Sequence, residues 1–122
     1  MIAAWEIHAT DPKVTADFYS GPLGWTIQEA EWDGNPYLII VSDEGQAMGR
    51  IIKRYGEAPE KGAPVMGGVL NFAVDDLDAA MAAFKAKDAV VAMGRFEIPG
   101  EGFACYFLDP DYNVFGLFEA AS

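Results

Sequence analysis

The chain has 122 residues, 52% of them hydrophobic and 22% charged, which supplies the apolar material for a packed core and excludes a disordered or fibrous class. With 8 Lys and Arg against 19 Asp and Glu the formal net charge is −11, a balance that repels phosphate backbones and anionic lipid and so excludes nucleic acid as an expected partner. The single Cys105 cannot pair within the chain, no apolar run approaches the roughly 20 residues of a membrane span, and Glu6 interrupts any secretory start. The expectation is therefore a soluble, unprocessed cytoplasmic protein with no membrane partner.

In chain order, Trp5 and Ile7 alternate with Ala4, Glu6 and His8, predicting a strand with one face on a helix and the other open. Asp11-Pro12 supplies a capping carboxylate and a helix-compatible proline, predicting a helix that buries Val14 and Phe18 and stops near Ser20-Gly21-Pro22. Asp33-Gly34-Asn35 separates strands at 25–28 and 37–41 as a tight hairpin turn. A further strand of open register falls in 46–53, and the stretch 56–64, with two Pro and two Gly, reads as a linker. Beyond it Leu70, Phe72 and Val74 alternate with Val69, Asn71 and Ala73. Asp76 then caps a helix whose Leu77, Ala80, Met81 and Phe84 share a face and which ends near Asp88. Strands at 90–93, 103–108 and 114–118 complete the chain, separated by turns at 99–102 and 109–113.

The second half repeats the first at an offset of about 65 positions, which sets Asp11 on Asp76, Ala16 on Met81 and Tyr19 on Phe84. The predicted architecture is α+β, two βαβββ modules (1–55 and 65–122) in a single domain. Each sheet carries a helix on one face only, so a curved, sheet-lined cleft between the modules is expected.

These residues carry a resemblance. Asp11-Pro12 with Phe18-Tyr19 and Leu23-Gly24-Trp25, then Val74-Asp75-Asp76-Leu77, then the run from Asp109-Pro110-Asp111-Tyr112-Asn113 to Leu117 resemble the vicinal oxygen chelate superfamily, the group of glyoxalase I, bleomycin-resistance proteins and extradiol dioxygenases. One departure is Tyr112, where the family's turn has a glycine; Asn113 is expected to supply the left-handed residue instead. The resemblance implies a divalent metal held by His, Gln or Glu from the first and last strands of each half. The matching positions here are Ala4, Val69 and Gly116, and the fourth lies in 46–53, where no His or Glu occurs and Gln46 is the one amide. No metal ligand and no cofactor are expected.

The residues left to carry chemistry are Glu6 and His8, two apart on the open strand face, and Asn71 at the position matching Glu6. A carboxylate beside an imidazole makes a general base, a ligand contact or part of a displaced metal site; the alternative is that His8 lies partly solvated at the strand end and Glu6 meets a cation or water. Asn71 can orient a ligand with donor and acceptor, or satisfy neighbouring backbone. Trp25, Tyr37 and Tyr106, with Trp32 and Phe103, are placed near the cavity mouth, where flat walls suit an aromatic or cationic guest; the alternative is ordinary core packing. Arg50 and Arg95 can meet an anionic group bidentately, but the expectation is that they are solvated on strand edges, and Cys105 is expected to be a packed hydrophobe. Three functions follow: a metal-free binding protein for a small molecule, a metal-dependent lyase, isomerase or dioxygenase with a site rearranged around Glu6, His8 and Asn71, or an interaction module. A homodimer is compatible with each. No phosphate loop, nucleophile elbow or basic stripe is present.

Overall fold

The computed structural model describes residues 5–65 and 67–122, and the chain divides into two compact units, Met1–Ala58 and Pro59–Ser122. In the first, β1 (Trp5–Ala9), α1 (Pro12–Leu23), β2 (Thr26–Trp32), β3 (Asn35–Val41) and β4 (Ala47–Lys53) form one sheet in the order β1-β4-β3-β2. β1 lies parallel to β4, and the other pairs are antiparallel. The second unit repeats this plan with β5 (Leu70–Ala73), α2 (Leu77–Lys85), β6 (Val90–Ile98), β7 (Gly102–Leu108) and β8 (Val114–Ala120), in the order β5-β8-β7-β6. Each unit is thus a βαβββ module whose first and last strands are parallel neighbours.

The local chemistry explains the elements. Asp11 Oδ1 accepts from the N–H groups of Lys13 (3.1 Å) and Val14 (3.5 Å) and starts α1. That helix runs through Pro22, further than expected, because the proline sits in the last turn, where its missing N–H costs one terminal bond; the Gly24 N–H then closes on Ser20 O at 2.8 Å. The expectation for Val14 fails: it is 52% exposed, and the buried stripe is Thr15, Ala16, Phe18 and Tyr19. The β2–β3 hairpin turns on Asp33 (φ 52°) and Gly34 (φ 77°), the two left-handed residues a two-residue turn requires.

In the second module α2 buries Leu77, Ala80, Met81 and Phe84, the face its spacing predicts, and each fully buried large side chain contributes about 1.5–3 kcal/mol. The helix stops at Lys85, before the expected Asp88, which itself takes a left-handed φ of 60°. Phe84 meets Phe115 at 4.9 Å and Phe107 at 5.7 Å between ring centres. Glu119 Oε1 accepts from the Leu77 N–H at 2.7 Å and fastens the helix start to β8.

The 109–113 turn is organised by buried Asp109. Its Oδ1 accepts from the Asp111 (2.8 Å) and Asn113 (3.0 Å) N–H groups, and its Oδ2 from Asn113 Nδ2 at 3.0 Å. Tyr112, not Asn113, takes the left-handed conformation (φ 61°); Asn113 is occupied in bonding Asp109, which leaves the strained angle to its neighbour. β6 extends to Ile98, past the 90–93 expected, with register shifts after Val91 and Met93.

On the helix side of the first sheet, Trp5 lies flat against Gly49, and a Cβ at that glycine would stand 2.6–2.8 Å from three carbons of the indole. Gly49→Ala is expected to lose about 1–3 kcal/mol of stability through this overpacking and to alter the near-ultraviolet tryptophan signal; a thermal melt unchanged from the parent would contradict the packing described.

Candidate functional site

The face of the first sheet turned away from α1 is set by register. Glu6 pairs with Arg50 and His8 with Ile52 across the parallel β1–β4 ladder, while Arg50 pairs with Ile39 and Ile39 with Gln28 across β3 and β2. Directly paired residues share a face, so Glu6, Arg50, Ile39 and Gln28 form one row. Arg50 is therefore on an interior strand, not the edge expected for it. Glu6 bridges two neighbours: its Oε1 lies 3.4 Å from His8 Nε2 and its Oε2 3.5 Å from Arg50 Nη2. Arg54 Nη2 donates to the His8 carbonyl at 3.0 Å, and the Tyr55 ring stands edge-on to the imidazole, with centres 6.2 Å apart.

A hollow of about 610 Å³ opens on this face. Trp32, Pro36, Tyr37, Ile52 and Tyr55 give it apolar and aromatic walls, and Glu6, Asn35, Arg50, Lys53 and Arg54 supply the polar groups. Trp32 is 76% and Tyr55 93% exposed, so two flat rings beside the hollow have apolar surface still available to a guest. A second hollow, of about 590 Å³, shares Pro36 and Tyr37 and has Asp11, Glu29 and Glu31 around it with Lys13.

In the second module Asn71 pairs with Gly116, and Gly116 with Tyr106. Asn71 Oδ1 occupies the space a Cβ at Gly116 would need, with the Asn71 Cγ and a Tyr106 ring carbon each 2.9 Å from that point. Tyr106 also stacks with Phe96, centres 6.0 Å apart. Asn71 and Tyr106 are thus neighbours over a glycine, whereas on the first sheet Glu6 and His8 adjoin on β1 and Tyr37 stands two strands away on β3. Trp25 lies elsewhere, stacked on Tyr19 of α1 (5.2 Å, 22°) and tilted against Trp5 (5.9 Å), and it lines neither hollow. Phe103 is covered by Arg95 at 4.3 Å, and Arg95 Nη1 reaches both carboxylate oxygens of Asp78 at 2.9 and 3.0 Å, so this pair fastens β6 to α2. Sequence reasoning missed Tyr55 as a site residue and ranked Arg50's contact with an anionic group below a solvated place on a strand edge. The signal was the alternation in 46–53, which could not be read without the register of its partner strands.

Cys105 is fully buried, and desolvation raises its pKa, opposed in part by a backbone hydrogen bond from Leu117 and by Lys85. It is a packed side chain, not a nucleophile.

Two βαβββ modules in one chain, each a four-stranded sheet with a helix on one face, define the class of protein. The chain belongs to the Glyoxalase/Bleomycin resistance protein/Dioxygenase superfamily, whose family model matches residues 2–117. It is 26% identical to the anthracycline biosynthesis protein DnrV of Streptomyces peucetius, over 93% of this chain and 45% of that protein. The chain spans less than half the length of the curated relatives it matches. Among solved structures, the antibiotic binding protein TnmS3 from Streptomyces sp. CB03234 superimposes with a TM-score of 0.75 at 20% identity, covering 99% of this chain and 96% of that one. The fosfomycin resistance protein FosX from Listeria monocytogenes gives 0.76 at 15% identity, with 99% and 91% covered. At these identities the two share the fold.

The superfamily's metal arrangement can be compared with the residues present. Gly116 has no donor and its side-chain space is filled by Asn71; Val69 is aliphatic; Ala4 lies outside the described residues. The module repeat locates the fourth position. As Asn71 pairs with Gly116 across β5–β8, so Glu6 pairs with Arg50 across β1–β4, and the counterpart of Gly116 is a guanidinium, which cannot coordinate a cation. Among the described residues no three His, Cys, Asp or Glu side chains are grouped to hold an ion. This donor set does not fit a divalent metal.

Two outcomes are expected. Gly116→Ala displaces Asn71 and loses about 1–3 kcal/mol, and the loss shrinks in the Asn71→Ala background; additive losses in a double-mutant cycle of denaturant melts would refute the contact. Because the thiol pKa is raised on folding, the stability Cys105 contributes is full below the ordinary thiol pKa and declines as pH rises through the higher folded value. Alkylation of the native protein should accordingly be slow and track unfolding, and rapid modification at neutral pH would show an accessible thiolate.

Proposed function

We propose that this chain is a small-molecule-binding member of its superfamily that holds a planar, aromatic-containing ligand and works without a divalent metal. The observation that carries the reading is the hollow on the open face of the first sheet, walled by Trp32, Tyr37, Tyr55 and Ile52. Its volume of about 610 Å³ falls within the roughly 300–1,000 Å³ usual for small-molecule sites. Glu6 and Tyr37, which line this hollow, with His8 beside Glu6, are the proposed ligand contacts of the first module; Asn71 and Tyr106 are proposed as contacts only for a ligand on the second module's own sheet face. Trp25 acts at one remove, through Trp5 and Tyr19. By their names, relatives of the chain bind antibiotics, resist them or take part in making them, which fits a role in holding a small organic molecule.

The lyase, isomerase or dioxygenase reading needs an ion, and Glu6 with His8 offers two donors where a catalytic site needs about three. The charge expected of the guest also changes. The chain's overall acidity suggested a cation, but the groups that would touch a ligand decide, and those at the hollow are mixed.

Thermal melts against a panel of planar aromatic compounds and against Zn²⁺, Ni²⁺, Mn²⁺ and Fe²⁺ test the proposal. An aromatic compound at about one hundred times its Kd should stabilise the fold by about 2.7 kcal/mol, and Tyr37→Ala should weaken that binding about tenfold, in line with about 1.4 kcal/mol lost. Stoichiometric metal that survives dialysis and disappears in His8→Ala would favour the metal enzyme instead.

A further inference from the structure

We propose that the ligand of the first-module hollow carries an oxyanion, such as a carboxylate, and that Arg50 receives it; the proposal rests on that hollow being the binding site. The chain has 8 Lys and Arg against 19 Asp and Glu, yet three of those cations, Arg50, Lys53 and Arg54, line this hollow with one carboxylate, Glu6. The local balance is the reverse of the global one. The neighbouring hollow keeps the chain's acidic character, with Asp11, Glu29 and Glu31 around Lys13 alone, so the two hollows carry opposite local balances.

Arg50 is the residue suited to recognition. Arg54 is tied to the His8 carbonyl. Arg50 faces Glu6 at 3.5 Å, with the two side chains 45% and 38% exposed, longer than the roughly 2.7–2.9 Å of a charge-assisted hydrogen bond. A half-solvated pair of that length holds the guanidinium in place at little energetic gain, and Glu6 is shared with His8 through its other oxygen. The planar fork can therefore exchange a loose partner for a ligand carboxylate bound in two parallel hydrogen bonds. β4 is paired on both sides, by β1 and β3, so the arginine stands on a rigid part of the sheet beside Tyr37, which would hold the ligand's ring. Where the superfamily pattern would place a metal donor, this chain places a fixed positive charge.

Calorimetric titration with three matched probes tests the assignment: 2-naphthoate, its neutral isostere 2-naphthamide, and 2-naphthylmethylammonium. The wild-type chain should bind 2-naphthoate about tenfold more tightly than 2-naphthamide, the scale of one charge-assisted hydrogen-bonding group, with the ammonium weakest. The naphthoate-to-naphthamide preference should fall to about one in Arg50→Gln and rise in Glu6→Gln, where the competing carboxylate is gone. Since a mid-sheet change at Arg50 can disturb folding, the wild-type protein supplies a second measure: added salt should erode the preference as it screens the charge. Equal affinity for naphthoate and naphthamide, or preference for the ammonium, would overturn the anion assignment and leave the aromatic site standing. No binding of any of the three would overturn both.

Discussion

The parallel pairing of each module's first strand with its last is the constraint on which the rest of the structure depends. An antiparallel neighbour could be supplied by a tight turn, but a parallel one needs a crossover, and the helix with its following hairpin supplies it. The helix covers one face of the sheet and leaves the other open. The register of that pairing then decides which side chains share the open face. Glu6 lies beside Arg50 in the first module, and Asn71 beside Gly116 in the second. A shift of one residue would turn Arg50 to the helix side and replace it with Gly49 or Ile51.

The two modules use the same backbone plan to different ends. In the second, a glycine at the paired position lets Asn71 and Tyr106 close over the strand, and the space where a longer side chain would project is filled. In the first, the same position carries a long cation loosely held by a carboxylate and surrounded by exposed rings. The two modules differ at the residues that face outwards from the sheet, while each helix buries a large aromatic against its sheet: Tyr19 in one and Phe84 in the other. Burial fixes that inner set tightly, since a methylene lost or gained there costs stability, whereas the open face is answerable chiefly to whatever it touches.

An electrostatic contrast runs through the molecule. Acidic residues dominate its total charge and its helix starts, where Asp11 and Asp76 accept backbone N–H groups. Positive charge is spent locally. Arg95 joins β6 to α2 through Asp78 while covering Phe103, and Arg50, Lys53 and Arg54 collect at the hollow. A small ligand responds to the few groups within a screening length, about 8 Å at physiological salt, and so to these cations more than to the distant carboxylates.

Helix caps, the hairpin turn at Asp33-Gly34, the buried face of α2 and the twofold repeat were all legible in the sequence, because each depends on residues within a few positions of one another or on a pattern of period 2 or 3.6. Glu6, His8 and Asn71 could be assigned to open strand faces by the same alternation. The extent of α1 past Pro22, the exposure of Val14 and the placing of the left-handed turn residue at Tyr112 were not, since terminal hydrogen bonds and side-chain competition at Asp109 set them. Arg50 is the clearest case of what tertiary structure alone decided. Its strand reads equally well in either register by composition, and only hydrogen bonding to β1, more than forty residues away in the chain, and to β3 on the other side turns its guanidinium towards Glu6 and the aromatic walls.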